Sequence, residues 1–399
     1  MKLQRGSDPA SAALEWPHDC GLTFMTLTPT LLDNKLLQLA TFQPSSMPVL
    51  SVYLNTQPDQ HGRANYDGFL RKQFKVAAER FATRSAELDS FERDASRVNE
   101  WLRSSLEASA NGAVIFASWA ADGFFDAVQF DAPVSKNELY VYSQPHIFGL
   151  ARIQDQYPRY AVLLADTTSG RTFTFGLGKT LGEETVSNTK MRDMTEVGRW
   201  SRAKEDSRQD NYRRQHASEL IEQLDTVVRS EQIDAIVLAG DGIVLPTLRD
   251  QLSPYLAERV IATLPLDIRT PEHEIRAASH AALREHDTRN DKQRVRTMMD
   301  HYHSGGRAAG GVHDVLAAFA RSQVEELFVG VSLDEQYPDG QDLGALANSA
   351  AAAEGTVGVN VADVLITRAV QTGARITFIE DDALLSDFGG VAATLRYTL

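Results

Sequence analysis

Hydrophobic and polar positions follow two different periods in the first third of the chain. A continuous apolar run at 49–54 is typical of a buried strand. Apolar residues then recur every three or four positions through 70–81 and 88–106, which predicts two amphipathic helices. Short apolar runs at 113–117 and 124–128 predict two more strands, joined through a turn. This order of elements predicts a first α/β unit.

A second unit begins with two predicted strands, at 160–166 and 171–175. A long polar stretch, 182–215, separates them from a helix whose apolar positions begin at Leu220. Another apolar run, 233–239, predicts a buried strand that is followed by a further helix. Strands that alternate with helices predict a mixed or parallel sheet.

The last third opens on a long charged helix, predicted over 272–303. After it, apolar runs at 326–331 and 374–379 predict strands, and helical patterns lie between them. One of these is an alanine-rich helix at 343–353. The chain closes with two glycines and an apolar strand. This order predicts an α/β/α sandwich.

Together the patterns predict an α/β protein of three domains, since 399 residues exceed what one ordinary core accommodates. We place the domains at 1–147, 148–270 and 271–399. The middle domain is expected to hold a mixed sheet and a projecting loop and helix. The last domain is expected to be the sandwich.

The composition limits the expected binding partners and the expected cellular compartment of the protein. Hydrophobic residues make up 43% of the chain, and no apolar run approaches the roughly 18 residues of a membrane span. The single cysteine, Cys20, rules out an internal disulfide, and no apolar stretch in the first residues resembles a secretory signal. We expect a cytoplasmic protein without a membrane partner. A net charge of −14 argues against general nucleic-acid binding, and no DNA partner is expected.

One segment of this acidic chain is nevertheless basic. Six cations lie within sixteen residues, against three carboxylates, and Trp200 lies among them. A helix that starts after Ser201 presents several of these cations to phosphates, while an exposed indole stacks on a base. The alternative is a solvated helix with its tryptophan in the core. The candidate RNA-binding residues are Arg199, Arg202, Lys204, Arg208, Arg213 and Arg214.

Three other patterns invite a functional interpretation and are weaker. The sequence 176–180 resembles a phosphate loop, but Phe173 stands where that loop requires glycine, so we predict a plain turn. Gly240-Asp241-Gly242 is predicted to be a strand–helix turn, with a ligand crevice as the alternative. Five histidines cluster between 273 and 303, yet their spacing does not favour one ion. We expect no metal and no cofactor.

The last third contains five segments that carry a resemblance when taken in order: 311–319, 324–329, 362–369, 372–376 and 387–397. Together they resemble the archaeal and eukaryotic class I peptide-chain release factors and their pelota relatives. The middle unit follows that family's order of strand, strand, polar stretch and basic helix. The opening at 51–54 resembles the divergent bacterial branch of the superfamily.

This resemblance implies a ribosome-associated protein in translation termination, rescue or tRNA handling. Its expected partners are the ribosome and tRNA, with a translational GTPase as a further candidate. The family's Gly-Gly-Gln tip corresponds here to Gly198-Arg199-Trp200-Ser201, which keeps one glycine and lacks the glutamine. Usual peptidyl-tRNA hydrolysis is therefore not supported, and whether the protein is an enzyme stays open. The alternative is a non-ribosomal binding or scaffolding protein that retains only the fold.

Overall fold

The computed structural model describes residues 29–43, 46–58, 66–187, 202–336 and 359–397. Three β-sheets follow one another along these residues, each accompanied by helices, which confirms the predicted α/β class. Cys20, the tip 198–201 and the predicted helix 343–353 lie outside the described residues. No helix within the described ranges combines the length and apolar composition needed to cross a bilayer.

The first sheet is antiparallel, with strand order β3-β2-β1-β4. Side chains alternate across β1, so that Leu50, Val52 and Leu54 pack under α2 and α3 while Tyr53 faces the opposite side. The elements are α1 (Pro29–Ala40), β1 (Val49–Asn55), α2 (Asp67–Ala78), α3 (Ala86–Ser104), β2 (Gly112–Ser118), β3 (Phe124–Phe130) and β4 (Glu138–Tyr142).

The second sheet is mixed, as predicted, with order β7-β6-β5-β8-β9. Strands β5, β8 and β9 run parallel, whereas β5, β6 and β7 form an antiparallel meander. The elements are α4 (Phe148–Gln156), β5 (Tyr160–Ala165), β6 (Ser169–Gly176), β7 (Lys179–Ser187), α5 (Arg202–Ser230), β8 (Ile236–Gly240), α6 (Val244–Gln251), α7 (Pro254–Ala257) and β9 (Val260–Leu264).

The third sheet is the centre of an α/β/α sandwich, as predicted, with order β10-β13-β11-β12. Helices α9 and α11 cover one face, and α8 with a 3₁₀ helix (Asp382–Phe388) covers the other. The elements are α8 (Glu272–His303), β10 (Ala308–Gly310), α9 (Val312–Ala320), β11 (Val324–Gly330), α10 (Leu333–Gln336), α11 (Val361–Thr372), β12 (Arg375–Ile379) and β13 (Val391–Leu395).

The first and third sheets share one hydrophobic core. The same buried cluster contains Tyr53 and Phe116 from the first sheet, Phe148 from α4, Leu365 from α11 and Phe378 from β12. Helices α1 and α4 pack against α11. We call the first and third sheets, with α1 and α4, the N/C body. The domain boundary at 147 stays a prediction, although α4, just beyond it, packs in this shared core.

A buried carboxylate joins the two parts of the N/C body. Asp363, at the start of α11, is fully buried, and its Oδ1 accepts the N–H groups of Ile147 and Phe148 at 2.9 and 3.0 Å. Its Oδ2 accepts Nδ1–H of the buried His146 at 2.7 Å. The first turn of α4 leaves N–H groups without helical partners, and Asp363 satisfies two of them from another helix.

The second sheet contacts the N/C body through α8 and through Leu177, which lies between β6 and β7 and belongs to the shared core. The first half of this helix packs on the second sheet, where Ile275 and Leu283 contact the cluster around Phe173. The second half packs on the third sheet, where Val295 and Met298 contact the cluster around Phe328. One helix of 32 residues thus belongs to two cores.

Candidate nucleic-acid interface

The second half of α5 is fixed to the second sheet. Ala217, Leu220, Leu224 and Val228 recur every three or four residues on one face and are fully buried. Opposite them on β6, a Cβ at Gly170 would lie 2.4 Å from Cδ2 of Leu220. The helix therefore packs directly on the backbone of β6, and this packing anchors everything that precedes it in α5.

The first half of α5 extends beyond this anchored part. The helix begins at Arg202 and its first buried side chain among those described is His216. The intervening turns cover about 14 residues, roughly 21 Å at 1.5 Å per residue. The described side chains at 211–215 are exposed or half-buried. We call residues 202–215 of α5 the arm.

The predicted basic residues fall on the arm or just before it. Arg202, Lys204 and Arg208 lie in its helical backbone, while their side chains lie outside the description. Arg213 is half-buried and Arg214 is exposed. Arg199 and the tip candidates Gly198, Trp200 and Ser201 lie outside the described residues, so their conformation stays a prediction.

His216 marks the base of the arm, and reasoning from the sequence missed it. Its side chain is 1% exposed, and neither ring nitrogen has a hydrogen-bond partner in the described part of the chain. A buried polar group without a partner is costly. In the sequence it is one histidine of ten, four residues before Leu220 on the apolar stripe, and nothing else distinguishes it.

The glycines at 176 and 178 belong to a hairpin, which confirms the predicted turn. Leu177 and Gly178 join β6 to β7 with φ of 51° and 75°, the left-handed conformations of a two-residue hairpin loop. A Cβ at Gly178 would lie 2.6 Å from the backbone N of Ala132, whose N–H donates to the carbonyl of Leu177. The loop packs against the N/C body and leaves no cradle for a phosphate.

Gly240-Asp241-Gly242 is also a structural turn, as predicted. Gly240 ends β8 with φ of 154°, and a Cβ there would lie 2.3 Å from the carbonyl oxygen of Ala165. Asp241 Oδ1 accepts the N–H groups of Ile243 and Val244 at 2.9 and 2.8 Å, which caps α6. The carboxylate is already used by the fold, so nothing here favours the ligand-crevice alternative.

The histidines along α8 have separate roles. His280 stacks on Tyr157 at 4.8 Å with its ring nearly parallel, and burial lowers the pKa of its imidazole. His273 is exposed beside Glu274. Among the described residues, no group of three or more histidine, cysteine or acidic side chains is placed to hold a metal ion.

A cleft of about 1170 Å³ opens where the second sheet meets the N/C body. Its walls carry mixed charges, so it has no single sign that would select an ion. Sequence reasoning missed it because its walls come from distant parts of the chain. Its charged lining residues are Asp155, Arg159, Glu231, Asp234, Asp287, Glu325, Glu326, Arg375 and Arg396.

Comparison with known proteins centres on the region that carries the arm. Residues 145–284 match the family described as bacterial archaeo-eukaryotic release factor family 10. This match covers about a third of the chain, in its middle region. It is also 28% identical over 191 residues to the protein pelota homolog of Natronomonas pharaonis, across 45% of this chain. The chain spans about half the length of this relative, 50% of which is matched.

Solved structures of the superfamily superimpose over most of the chain with low scores. The archaeal termination factor aRF1 covers 93% of this chain and 99% of its own, at 14% identity and a TM-score of 0.28. Pelota of Archaeoglobus fulgidus covers 73% and 81%, at 14% identity and 0.30. Dom34 of S. cerevisiae covers 72% and 80%, at 10% identity and 0.38. The similarity to release factors and pelota proteins therefore rests on the two sequence matches.

Proposed function

We propose that the protein is a ribosome-associated factor that acts in translation termination, rescue or tRNA handling. The arm enters the space that tRNA occupies and carries the segment 198–201 at its end. One observation supports this most: α5 is anchored on the second sheet from His216 onward, and its helical backbone begins 14 residues earlier, at Arg202. Those 14 residues hold five of the six cations of the basic cluster. Ribosomal RNA and tRNA are the proposed binding partners.

The charge distribution supports RNA as the ligand of the arm. The chain carries a net charge of −14, yet residues 202–215 hold five cations and three carboxylates. Cations concentrated on a projecting helix contact phosphates while the acidic remainder of the protein stays outside the RNA. Superfamily members with solved structures include a termination factor and Dom34, which is described as interacting with Hbs1. Because Dom34 is described as interacting with Hbs1, we also propose a translational GTPase as a partner.

The chemistry that we propose is positioning rather than hydrolysis. Gly198-Arg199-Trp200-Ser201 lacks the glutamine of the Gly-Gly-Gln tip, so the segment does not supply the residue on which that tip depends. The arm then acts by occupying the space that tRNA otherwise fills and by binding RNA. The division into domains at 1–147, 148–270 and 271–399 is part of this proposal, with the arm in the middle domain.

Reversing the charge of the arm should abolish ribosome binding. Substituting Arg202, Lys204 and Arg208 by glutamate replaces three phosphate interactions with repulsion, and we expect at least about 100-fold weaker binding at low salt. The salt dependence of the remaining binding should fall by roughly one unit of slope for each phosphate interaction that is removed. Co-sedimentation with purified ribosomes across a salt series measures both quantities.

A matched control variant distinguishes an effect of the arm on ribosome binding from an effect of the net charge of the protein. Arg289, Lys292 and Arg296 are three exposed cations on α8. Substituting them by glutamate makes the same change in net charge and should leave binding within about threefold of wild type, since net charge beyond a Debye length is screened. Equal losses in both variants, or no binding by the wild type, would favour the non-ribosomal scaffold instead.

A further inference from the structure

A pocket of about 410 Å³ opens between α2 and α3, the two helices that cover one face of the first sheet. It lies where the N-terminal end of α2 passes the C-terminal end of α3. Its volume falls within the range of about 300–1,000 Å³ that is typical of small-molecule sites. Ribosome binding by the arm does not use this pocket, because the arm belongs to the second sheet.

Aromatic and aliphatic side chains form the apolar part of the pocket lining. Tyr66 and Leu102 are each 8% exposed and belong to the hydrophobic cluster between the helices and the sheet. Phe74 is half-buried against the same cluster, and its ring meets the ring of Phe91 edge-on, with the ring centroids 6.2 Å apart. These contacts fix Phe74 to the core, so its ring offers a preformed apolar surface to a planar ligand.

Two arginines line the same pocket without a carboxylate partner. Arg71 of α2 and Arg103 of α3 are exposed, and neither forms an ion pair or a hydrogen bond with any residue that the structure describes. Arg93, one of the other arginines of α3, pairs instead with Asp89 at 3.0 Å. Guanidinium groups match the oxygens of a phosphate in both charge and geometry. Two unpaired ones that come from different helices therefore favour an anionic ligand, and a phosphate in particular.

The remaining polar groups of the pocket supply one donor and two acceptors. The hydroxyl of Tyr66 forms no hydrogen bond within the described part of the chain, although the residue is nearly buried. Burial, and then Asp67, raise the pKa of this phenol, so it stays protonated and donates. Asn99 donates Nδ2–H to the carbonyl of Ala95 at 2.9 Å, which leaves its Oδ1 as an acceptor for a ligand. The carboxylate of Asp67 is the second acceptor.

We propose that this pocket binds a mononucleotide. The phosphate lies between Arg71 and Arg103, and the base packs on Phe74. Hydroxyl groups of the sugar and amino groups of the base donate to Asp67 and Asn99. A nucleotide uses every part of the lining, whereas inorganic phosphate uses only the cations and a nucleoside only the remainder. The proposal goes beyond ribosome binding, because it assigns a small-molecule site to the first sheet.

Isothermal titration calorimetry of the whole chain with adenosine monophosphate tests the proposal. This probe carries a phosphate for the arginines, a planar base for Phe74 and an amino group for the acceptors. We expect saturable binding with a stoichiometry of one nucleotide per chain. Adenosine and inorganic phosphate each lack one part of the ligand and should bind at least about tenfold more weakly.

Two double variants show whether the arginines of the pocket hold the phosphate. Arg71→Ala with Arg103→Ala removes both guanidinium groups and should weaken binding of the nucleotide by at least about 100-fold. Arg80→Ala with Arg84→Ala is the matched control, since both are exposed cations in the connection between α2 and α3 and neither lines the pocket. The control should bind within about twofold of the wild type, because exposed charges at that distance are screened.

Three results would overturn the nucleotide site. The first is no binding of adenosine monophosphate by the wild type even at millimolar concentration, and the second is an equal loss of affinity in the two double variants. The third is binding of a short oligoadenylate without binding of the mononucleotide, which would identify an RNA strand as the ligand. All four substituted side chains are exposed, and circular dichroism shows that each variant is folded. Because no ribosome is present, failure of the site leaves the proposed function standing.

Discussion

Replacing Asp363 by alanine is expected to destabilise the N/C body by about 3 to 5 kcal/mol. The substitution leaves three buried donors without an acceptor, namely the N–H groups of Ile147 and Phe148 and Nδ1–H of His146. His146 has no access to solvent, because it is 1% exposed and lies 3.8 Å from the ring of Tyr140. The free energy of unfolding from urea titrations, followed by circular dichroism, measures the loss.

Two further variants show whether the loss comes from the buried network. Asp363→Asn keeps an acceptor oxygen for Ile147 and Phe148, so it should lose less than the alanine variant. Asp387→Ala removes an exposed carboxylate in the same part of the chain and should change stability by less than about 0.5 kcal/mol. If Asp363→Ala were as mild as Asp387→Ala, the joint between the first and third sheets would not depend on this carboxylate.

Gly240→Ala should destabilise the second sheet by about 3 kcal/mol or more. The new Cβ would lie 2.3 Å from the carbonyl oxygen of Ala165, a backbone atom that is fixed by the pairing of β5 with β8. The backbone at Gly240 also has a positive φ of 154°, which L-residues rarely adopt. The steric clash and the backbone strain therefore both raise the free energy of the folded variant. A thermal denaturation series measures the effect.

Gly242→Ala is a control only two residues away. A Cβ at Gly242 meets nothing within 4 Å. We therefore expect it to change stability by less than about 1 kcal/mol. Similar losses in the two variants would mean that the turn is sensitive to any side chain, and that the close approach of Gly240 to Ala165 has no special weight.

Local pattern was enough to predict most buried elements. The run at 49–54 and the stripe at 88–106 correspond to β1 and α3, because burial of one side imposes the period on the sequence. Strands β7 and β9 were missed. They form the two edges of the second sheet, are largely half-exposed or exposed, and so carry a weaker apolar pattern.

Contacts between residues that are far apart in the sequence leave no local pattern from which they could be predicted. Asp363 and His146 are 217 positions apart, and each looks like an ordinary polar residue in its own segment. Asp155 and Asp287 come from distant segments, and only the fold brings them to the same cleft. The shared core of the first and third sheets was unpredicted for the same reason.

The arm was predictable in part. Its basic composition and the helix after Ser201 both follow from the sequence, and α5 does begin at Arg202. The burial of His216 at the base of the arm was not predictable, because it depends on which residues of the sheet surround the side chain. The local charge thus identified the arm as the candidate segment, and the packing of α5 on β6 shows how the arm is anchored.

Site-specific photocrosslinking from the arm tests the account most directly. A benzophenone amino acid at Lys204 on the arm is compared with one at Lys292 on α8, in the presence of intact ribosomes. We expect the probe at 204 to crosslink to tRNA or to large-subunit ribosomal RNA, and the probe at 292 to give at most a small fraction of that yield. Crosslinks from 292 to RNA with none from 204, or no RNA crosslink from either, would contradict it.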